Sequence, residues 1–374
     1  MQKDISNNSL TGERPDHIRL FINGRFLTQR RTGVERYAYE LCRALHEQDV
    51  HFTIICPNRP IAQDYDVSMF DIVTYGVGAS HFWEQCVLPF FFVGKKDYVV
   101  ISFTGLGSIL IPNKVMTVHD LSFLYNPKWF SKAYYYYYKL MTPIAVRTSK
   151  GIITVSDFSR QEILRFYPFL DKSRIHVVYN ACNPSQFASR TNSESCIKSG
   201  EERYALAVSS IDPRKNLDVL IKAFADGGIG CRLYVVGNHN RVFAGRNVKT
   251  DENNVVFLGR VNDAELSSLY ANAQFFVSSS LYEGFGLPLL ESMTSRCPVL
   301  CSDIPVYKEV CEDSAIYFAP TSPESLRDAV SRFLAMSEEE RKALYDNMER
   351  NLKRFSWSAS ALKVRQIVEG CICK

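Results

Sequence analysis

The chain has 374 residues, 46% hydrophobic and 22% charged, an ordinary globular composition that excludes wholesale disorder and is long enough for two domains. The net charge of +4 is uneven: residues 1–190 hold 22 basic and 16 acidic side chains, and residues 191–374 hold 22 and 24. That excess is too weak for nucleic acid but suits an anionic surface or a phosphorylated acceptor in the first half.

From the start of the chain, residues 1–18 are polar and lack the apolar core of a secretory leader, so none is expected. Short Val- and Ile-rich runs then alternate with longer amphipathic stretches, the pattern of parallel sheets covered by helices. Strands are expected at 18–23, 52–56, 98–102, 115–118, 151–155 and 175–179, with helices at 33–47, 131–148 and 157–167. The uncharged stretch 98–113 is short for a membrane span and is broken by Gly105, Gly107 and Pro112, so it reads as buried strand and loop. Residues 180–203 lose periodicity and fill with Ser, Asn, Pro and Gly, as an interdomain linker does. A second sheet follows, with strands at 204–209, 232–236, 255–258, 274–278, 298–301 and 315–318 and helices at 215–226, 263–272, 287–295 and 323–335. Two doubly wound domains in series place their crevices at the carboxyl ends of their strands, so a site in the cleft between them is expected.

The eleven cysteines form no C-x-x-C pair and no zinc-finger spacing with histidine, which points to reduced thiols in the cytosol. The terminal Cys371-Ile372-Cys373-Lys374 has the length of a prenylation box but the wrong residues for one.

In SLYEGFGLPLLESM, residues 280–293, a strand gives way to a helix whose first turn accommodates Pro288. Gly284 and Gly286 keep the loop free of bulk, and the N–H groups of the helix start suit a phosphate oxygen. Glu283 and Glu291 would repel that phosphate. An ionised carboxylate only accepts hydrogen bonds, and a nucleoside-diphosphate sugar carries donor diols on both sides of its diphosphate.

FVSSSLYEGFGLPLLESM resembles the signature of the retaining glycosyltransferases of family 4, which have the GT-B fold: two Rossmann-like α/β domains facing a cleft. The resemblance covers nearly the whole chain. It implies an acceptor domain over residues 1–185, a nucleotide-sugar domain over 186–354, and a closing helix, from FSW at 355–357 onward, that returns to the first domain. It places Glu283 beside the hydroxyls of the donor sugar and Glu291 on the ribose, with Phe285, Gly286 and Leu287 offering backbone contacts. In AVSSIDPRKNLDVLIKAF it assigns Lys215 and Arg214 to the leaving diphosphate, although Ser209-Ser210 stand where many members have an arginine. In VMTVHDLSFL it sets His119 against the donor sugar, with its carbonyl toward the anomeric carbon, and lets Asp120 orient the ring or the loop. Gly33, in the loop opening the first helix, is the candidate for close backbone approach to the phosphates, with Arg30 and Arg31 beside it for an anionic acceptor.

The implied activity is transfer of a sugar, mannose among the candidates, from a nucleotide-diphosphate donor to a glycan acceptor with retention, without metal or other cofactor. The HDLSFL and FSKAYYYYYKL segments look most like bacterial O-antigen or capsule enzymes, which implies a polyprenyl-diphosphate-linked acceptor. A peripheral position at the inner face of the cytoplasmic membrane goes with it, through Lys132, Lys139 and the outward members of Tyr134 to Tyr138. A sugar-nucleotide epimerase of related fold, or a glycan-binding protein without catalysis, are the other readings. Asp64-Tyr65-Asp66 has the D-x-D form of metal-dependent transferases without their strand context, and GLGSIL at 105–110 lacks the third glycine and the acidic partner of a dinucleotide fingerprint.

Overall fold

The computed structural model describes residues 19–187, 204–210, 212–225, 229–237 and 254–372. The polar start, residues 188–203 of the expected linker, and Cys373 lie outside the described residues.

The first half contains β1 (Arg19–Asn23), α1 (Gly33–His46), β2 (Thr53–Cys56), β3 (Asp71–Thr74), β4 (Tyr98–Ser102) and β5 (Lys114–Val118). It continues with α2 (Lys132–Thr148), β6 (Gly151–Thr154), α3 (Asp157–Phe166) and β7 (Ile175–Val177). The second half contains β8 (Tyr204–Val208), α4 (Leu217–Ala225), β9 (Arg232–Val236), β10 (Val255–Gly259), α5 (Asp263–Asn272) and β11 (Phe275–Ser278). After these come α6 (Leu287–Thr294), β12 (Val299–Ser302), α7 (Pro305–Cys311), β13 (Ala315–Phe318), α8 (Pro323–Leu334), α9 (Glu338–Leu352) and α10 (Trp357–Ile372).

The strand order is β3-β2-β1-β4-β5-β6-β7 in one sheet and β10-β9-β8-β11-β12-β13 in the other, with parallel pairings throughout. This is the two-Rossmann GT-B architecture expected. Central strands such as YVVIS and KVMTV are buried along their whole length because helices cover both faces. The winding reverses between β1 and β4 in the first sheet and between β8 and β11 in the second, and at such reversals the loops beyond the strand ends part to leave a crevice.

Three of the elements just named lie outside the expected set. β3 is a four-residue edge strand, DIVT, whose outer residues are exposed, so it carries no buried run to announce it. α7 is short and opens on Pro305, and α9 is mostly charged and buries only Leu344, Met348 and Asn351. The described start of the expected linker, residues 180–187, is also not a loose tether: Asn180, Ala181 and Phe187 are buried, and Phe187 packs edge-on against Tyr270 with ring centroids 5.9 Å apart. α10 leaves the second half and lies on the first, where Ser360 Oγ donates to Tyr179 O at 2.8 Å and Gln48 Nε2 donates to Ser358 O at 2.7 Å.

Candidate active site

Two loops at the winding reversal of the second sheet, one after β8 and one after β11, meet the loop after β5 from the first sheet. After β8, Asp212 accepts from the Arg214 N–H at 2.9 Å and shapes a one-turn helix, and Asn216 closes it in the left-handed region. That turn projects Arg214 and Lys215 toward the β11 loop. Lys215 Nζ lies 2.5 Å from Glu283 Oε1, Arg214 Nη1 lies 3.2 Å from Glu283 Oε2, and Ser280 Oγ donates to Oε1 at 2.8 Å. The two cations assigned to the diphosphate and the carboxylate assigned to the sugar therefore hold one another. Arg214 Nη1 also reaches Asp120 Oδ2 at 3.4 Å, bridging the two halves. Asp120 Oδ1 accepts from the Ser122 N–H at 2.9 Å, which fixes the carboxylate in place.

Burial alone would raise the Glu283 pKa, but Lys215, then Arg214, with the hydrogen bonds from Lys215 and Ser280, hold it below the ordinary 4.5. Glu283 is therefore ionised at neutral pH.

Gly284 and Gly286 have separate reasons to be glycine. A Cβ at Gly284 would stand 2.4 Å from His119 O, so the two halves touch backbone to backbone there. Gly286 has φ +102° as the residue before α6, a conformation that side chains rarely adopt, and a Cβ would also strike Tyr307. The Phe285 ring is buried between Tyr179 and Phe355, and Leu287 opens α6.

His119 Nε2 lies 2.8 Å from Phe103 O, and since a carbonyl only accepts, the proton is on Nε2 and Nδ1 is left as an acceptor. Burial lowers its pKa despite the Phe103 bond and Asp120, so the ring is neutral. Its own carbonyl takes the Ser159 hydroxyl at 3.1 Å and abuts Gly284. The carbonyl expected to face the anomeric carbon is thus placed at the contact between the two halves.

One helix further along, Glu291 accepts from Arg36 Nη1 at 3.2 Å and from Tyr270 OH at 3.1 Å. Arg36 comes from α1, across the cleft, and its Nη2 also donates to Asp263 Oδ1 at 2.7 Å. Burial raises the Glu291 pKa above 4.5, and Arg36 and Tyr270 only partly oppose it. Of the acceptor-side candidates, Arg31 donates to Asp263 Oδ2 at 2.9 Å, and Arg30 is exposed. Gly33 is the first residue of α1, behind Thr32, and a Cβ there would meet nothing within 4 Å.

Arg36, Tyr270 and Asp263 were not among the expected site residues, and neither was Glu309. The Glu309 carboxylate, on α7, accepts from the N–H groups of Asp157 and Phe158 at 2.6 and 2.8 Å and so caps α3 of the first half. Ser156 Oγ, beside it, donates to Gly284 O at 2.7 Å. Of the D-x-D pair, Asp66 accepts from the Ser68 N–H at 3.1 Å in an exposed turn, away from this cluster.

Residues 31–186 match the model of Glycosyltransferase Family 4, and residues 188–351 match that of Glycosyl transferases group 1. An O-antigen chain mannosyltransferase, RfbU, of Salmonella typhimurium is 33% identical over 238 residues, 60% of this chain and 64% of that protein. The match thus spans a little under two thirds of that relative's length. O-antigen chain mannosyltransferase B of Escherichia coli is 31% identical over 279 residues, 70% of this chain and 71% of that one. A sucrose-phosphate synthase from Thermosynechococcus elongatus shares the fold, with a TM-score of 0.74 and 17% identity over 94% of this chain and 98% of its own.

Proposed function

Because the chain belongs to the family 4 glycosyltransferases, we propose that it moves a hexosyl group, mannose by analogy with the O-antigen relatives, from a nucleotide-diphosphate sugar to a glycan acceptor with retention of configuration. The observation that carries the reading is the Glu283–Lys215–Arg214 cluster at the second-sheet crevice, opposite His119 and Asp120. On donor binding, Lys215 and Arg214 exchange Glu283 for diphosphate oxygens, and Glu283, released, accepts from sugar hydroxyls. The N–H groups at the start of α6 add to the anion site. His119 Nδ1 accepts a further sugar hydroxyl, Glu291 holds the ribose, and Asp120, held by Ser122, orients the loop and Arg214. Each charge contact to the developing diphosphate is worth about 10² to 10³ in rate. No side chain is assigned as a covalent nucleophile.

The test is release of nucleoside diphosphate from GDP- and UDP-sugars with and without lipid-linked glycan. Acceptor-dependent release supports the reading. Interconversion of sugar nucleotides without release would replace it with epimerisation. Diphosphate departure is assigned to the two cations, so transfer should survive excess EDTA, and metal-reversible loss would overturn that assignment.

The acceptor reading extends to a peripheral membrane position. No helix among the described residues is long and apolar enough to cross a membrane. Tyr136, Leu140 and Ile144 stand exposed at four-residue spacing on α2, with Lys132, Lys139 and Arg147 exposed on the same helix. Flotation with anionic liposomes should show binding at low salt that weakens at high salt, because the Debye screening length shortens.

A further inference from the structure

Four charged side chains, two from each half, alternate in sign across the cleft. Arg31 Nη2 donates to Asp263 Oδ2 at 2.9 Å, Arg36 Nη2 to Asp263 Oδ1 at 2.7 Å, and Arg36 Nη1 to Glu291 Oε1 at 3.2 Å. The chain runs from solvent inward: the Asp263 side chain is 42% exposed, and those of Arg36 and Glu291 are 14% and 7% exposed. An exposed pair contributes little, whereas a buried carboxylate depends on the cation beside it. The Arg36–Glu291 contact is therefore the one with consequences.

The groups that face Glu291 are Arg36 on α1, Tyr270 and Asp263 on α5, and Cys182 in the segment 180–187. Burial pushes the Cys182 thiol up to about 12 and the Tyr270 hydroxyl well above its ordinary 10, so both stay neutral. Asp263 is acidic and disfavours a second charge. Among these neighbours Arg36 is the cation that favours an ionised Glu291 against its burial. The state of the carboxyl decides what it can do. Ionised, it only accepts: Oε1 takes Arg36, Oε2 takes the Tyr270 hydroxyl at 3.1 Å, and each oxygen keeps a lone pair for one hydroxyl of a diol. Protonated, it commits one oxygen to its own O–H and no longer serves two hydroxyls as an acceptor. The planar guanidinium also fixes direction, because its two Nη atoms grip carboxylates on two different helices, which an ammonium could not do in the same way.

We infer that Arg36 is a positioning residue of the nucleotide site: reaching over from the first half, it holds Glu291 as a double acceptor for the ribose diol, while Asp263, itself balanced by Arg31, holds the guanidinium in place. This rests on the reading of Glu291 as the ribose carboxylate. It adds that recognition of the ribose is completed by a side chain of the opposite half, acting through Glu291.

The experiment is calorimetry on the full chain with GDP and UDP and with their 2′-deoxy analogues, read as the ratio of deoxy to ribo Kd. Titration of the nucleotide's own phosphate is common to both members of each pair and cancels in the ratio. For whichever nucleotide binds, the wild-type ratio should be roughly 10 to 100, the worth of a hydrogen bond to a charged group. In Arg36→Gln, or in Arg36→Met if the first does not fold, it should fall to roughly 3, the worth of a neutral one. Without its cation Glu291 takes up a proton at higher pH, so between about pH 8 and pH 5 the variant should lose its remaining preference before the wild type does. Arg36→Lys, which keeps the charge, should recover part of the ratio. A ratio equal in wild type and variant at every pH makes Arg36 a strut between the halves and overturns the proposal. Tighter nucleotide binding in the variant also overturns it, because Arg36 would then compete with the ribose for Glu291. A wild-type ratio near 1, or one unchanged in Glu291→Ala, would instead strike the ribose reading beneath, so the two failures are told apart.

Discussion

Glu283 and Glu291 are eight residues apart, both almost completely buried, and both meet cations, yet their surroundings act in opposite directions. Glu283 has two cations and a serine hydroxyl, and its pKa falls; Glu291 has one arginine, borrowed from the other half, and a tyrosine, and its pKa rises. The cations on Glu283 come from its own half, 68 and 69 residues away, whereas Arg36 comes from the other half, 255 residues away. A carboxylate bound to its own half keeps its charge whether the cleft is open or shut. One that depends on the opposite half keeps its full complement only when the halves meet.

The largest effect that would sharpen this contrast is on transfer. Glu283→Gln should lower kcat by about 10² to 10³ while nucleotide diphosphate still binds, as read by turnover and calorimetry on one preparation. Equal loss of nucleotide binding in both glutamate variants would erase the division of roles. Next, Glu291→Ala should weaken nucleotide diphosphate by about 1.5 to 3 kcal/mol, the worth of hydrogen bonds to a charged group.

Smaller again, Lys215→Met should destabilise the fold by about 1 to 2 kcal/mol, less than the full cost of breaking a buried pair because Arg214 remains. Adding Glu283→Gln should restore much of the loss in thermal melts. The smallest effect is the pH dependence. Glu283, with its pKa depressed, contributes stability above 4.5 that disappears as pH falls through its folded value. Glu291, with its pKa raised, favours the fold most when protonated, and that contribution is lost as pH rises from 4.5 through its folded value. Melting temperatures of Glu283→Gln and Glu291→Gln against wild type should therefore differ with opposite slopes across pH 4.5; slopes of one sign would break the comparison.

What the sequence disclosed follows the same line. Both parallel sheets were legible because their central strands are buried on two faces and read as uninterrupted apolar runs, and β3 was not because an exposed edge of four residues has no such run. Glu283, Lys215 and Arg214 were picked out because the strand-end loops that carry them resemble the family's motifs. Arg36, Asp263 and Glu309 were not. Arg36 is one of several charges on an amphipathic helix, and only the meeting of the halves distinguishes it from its neighbours. That Lys215 and Arg214 would be occupied by Glu283 was equally hidden, since spacing shows which groups gather and leaves open which of them pair.

The bare Cα of Gly284 against His119 O has a mechanical meaning. At this one of their several contacts the halves close backbone to backbone only because no Cβ stands there. Gly284→Ala would act as a wedge at the fulcrum, driving apart the Ser156 and Glu309 contacts on one side and the Asp120–Arg214 bridge on the other. Such a chain would offer a locked-open form of the molecule, in which each half displays its ligand surface separately.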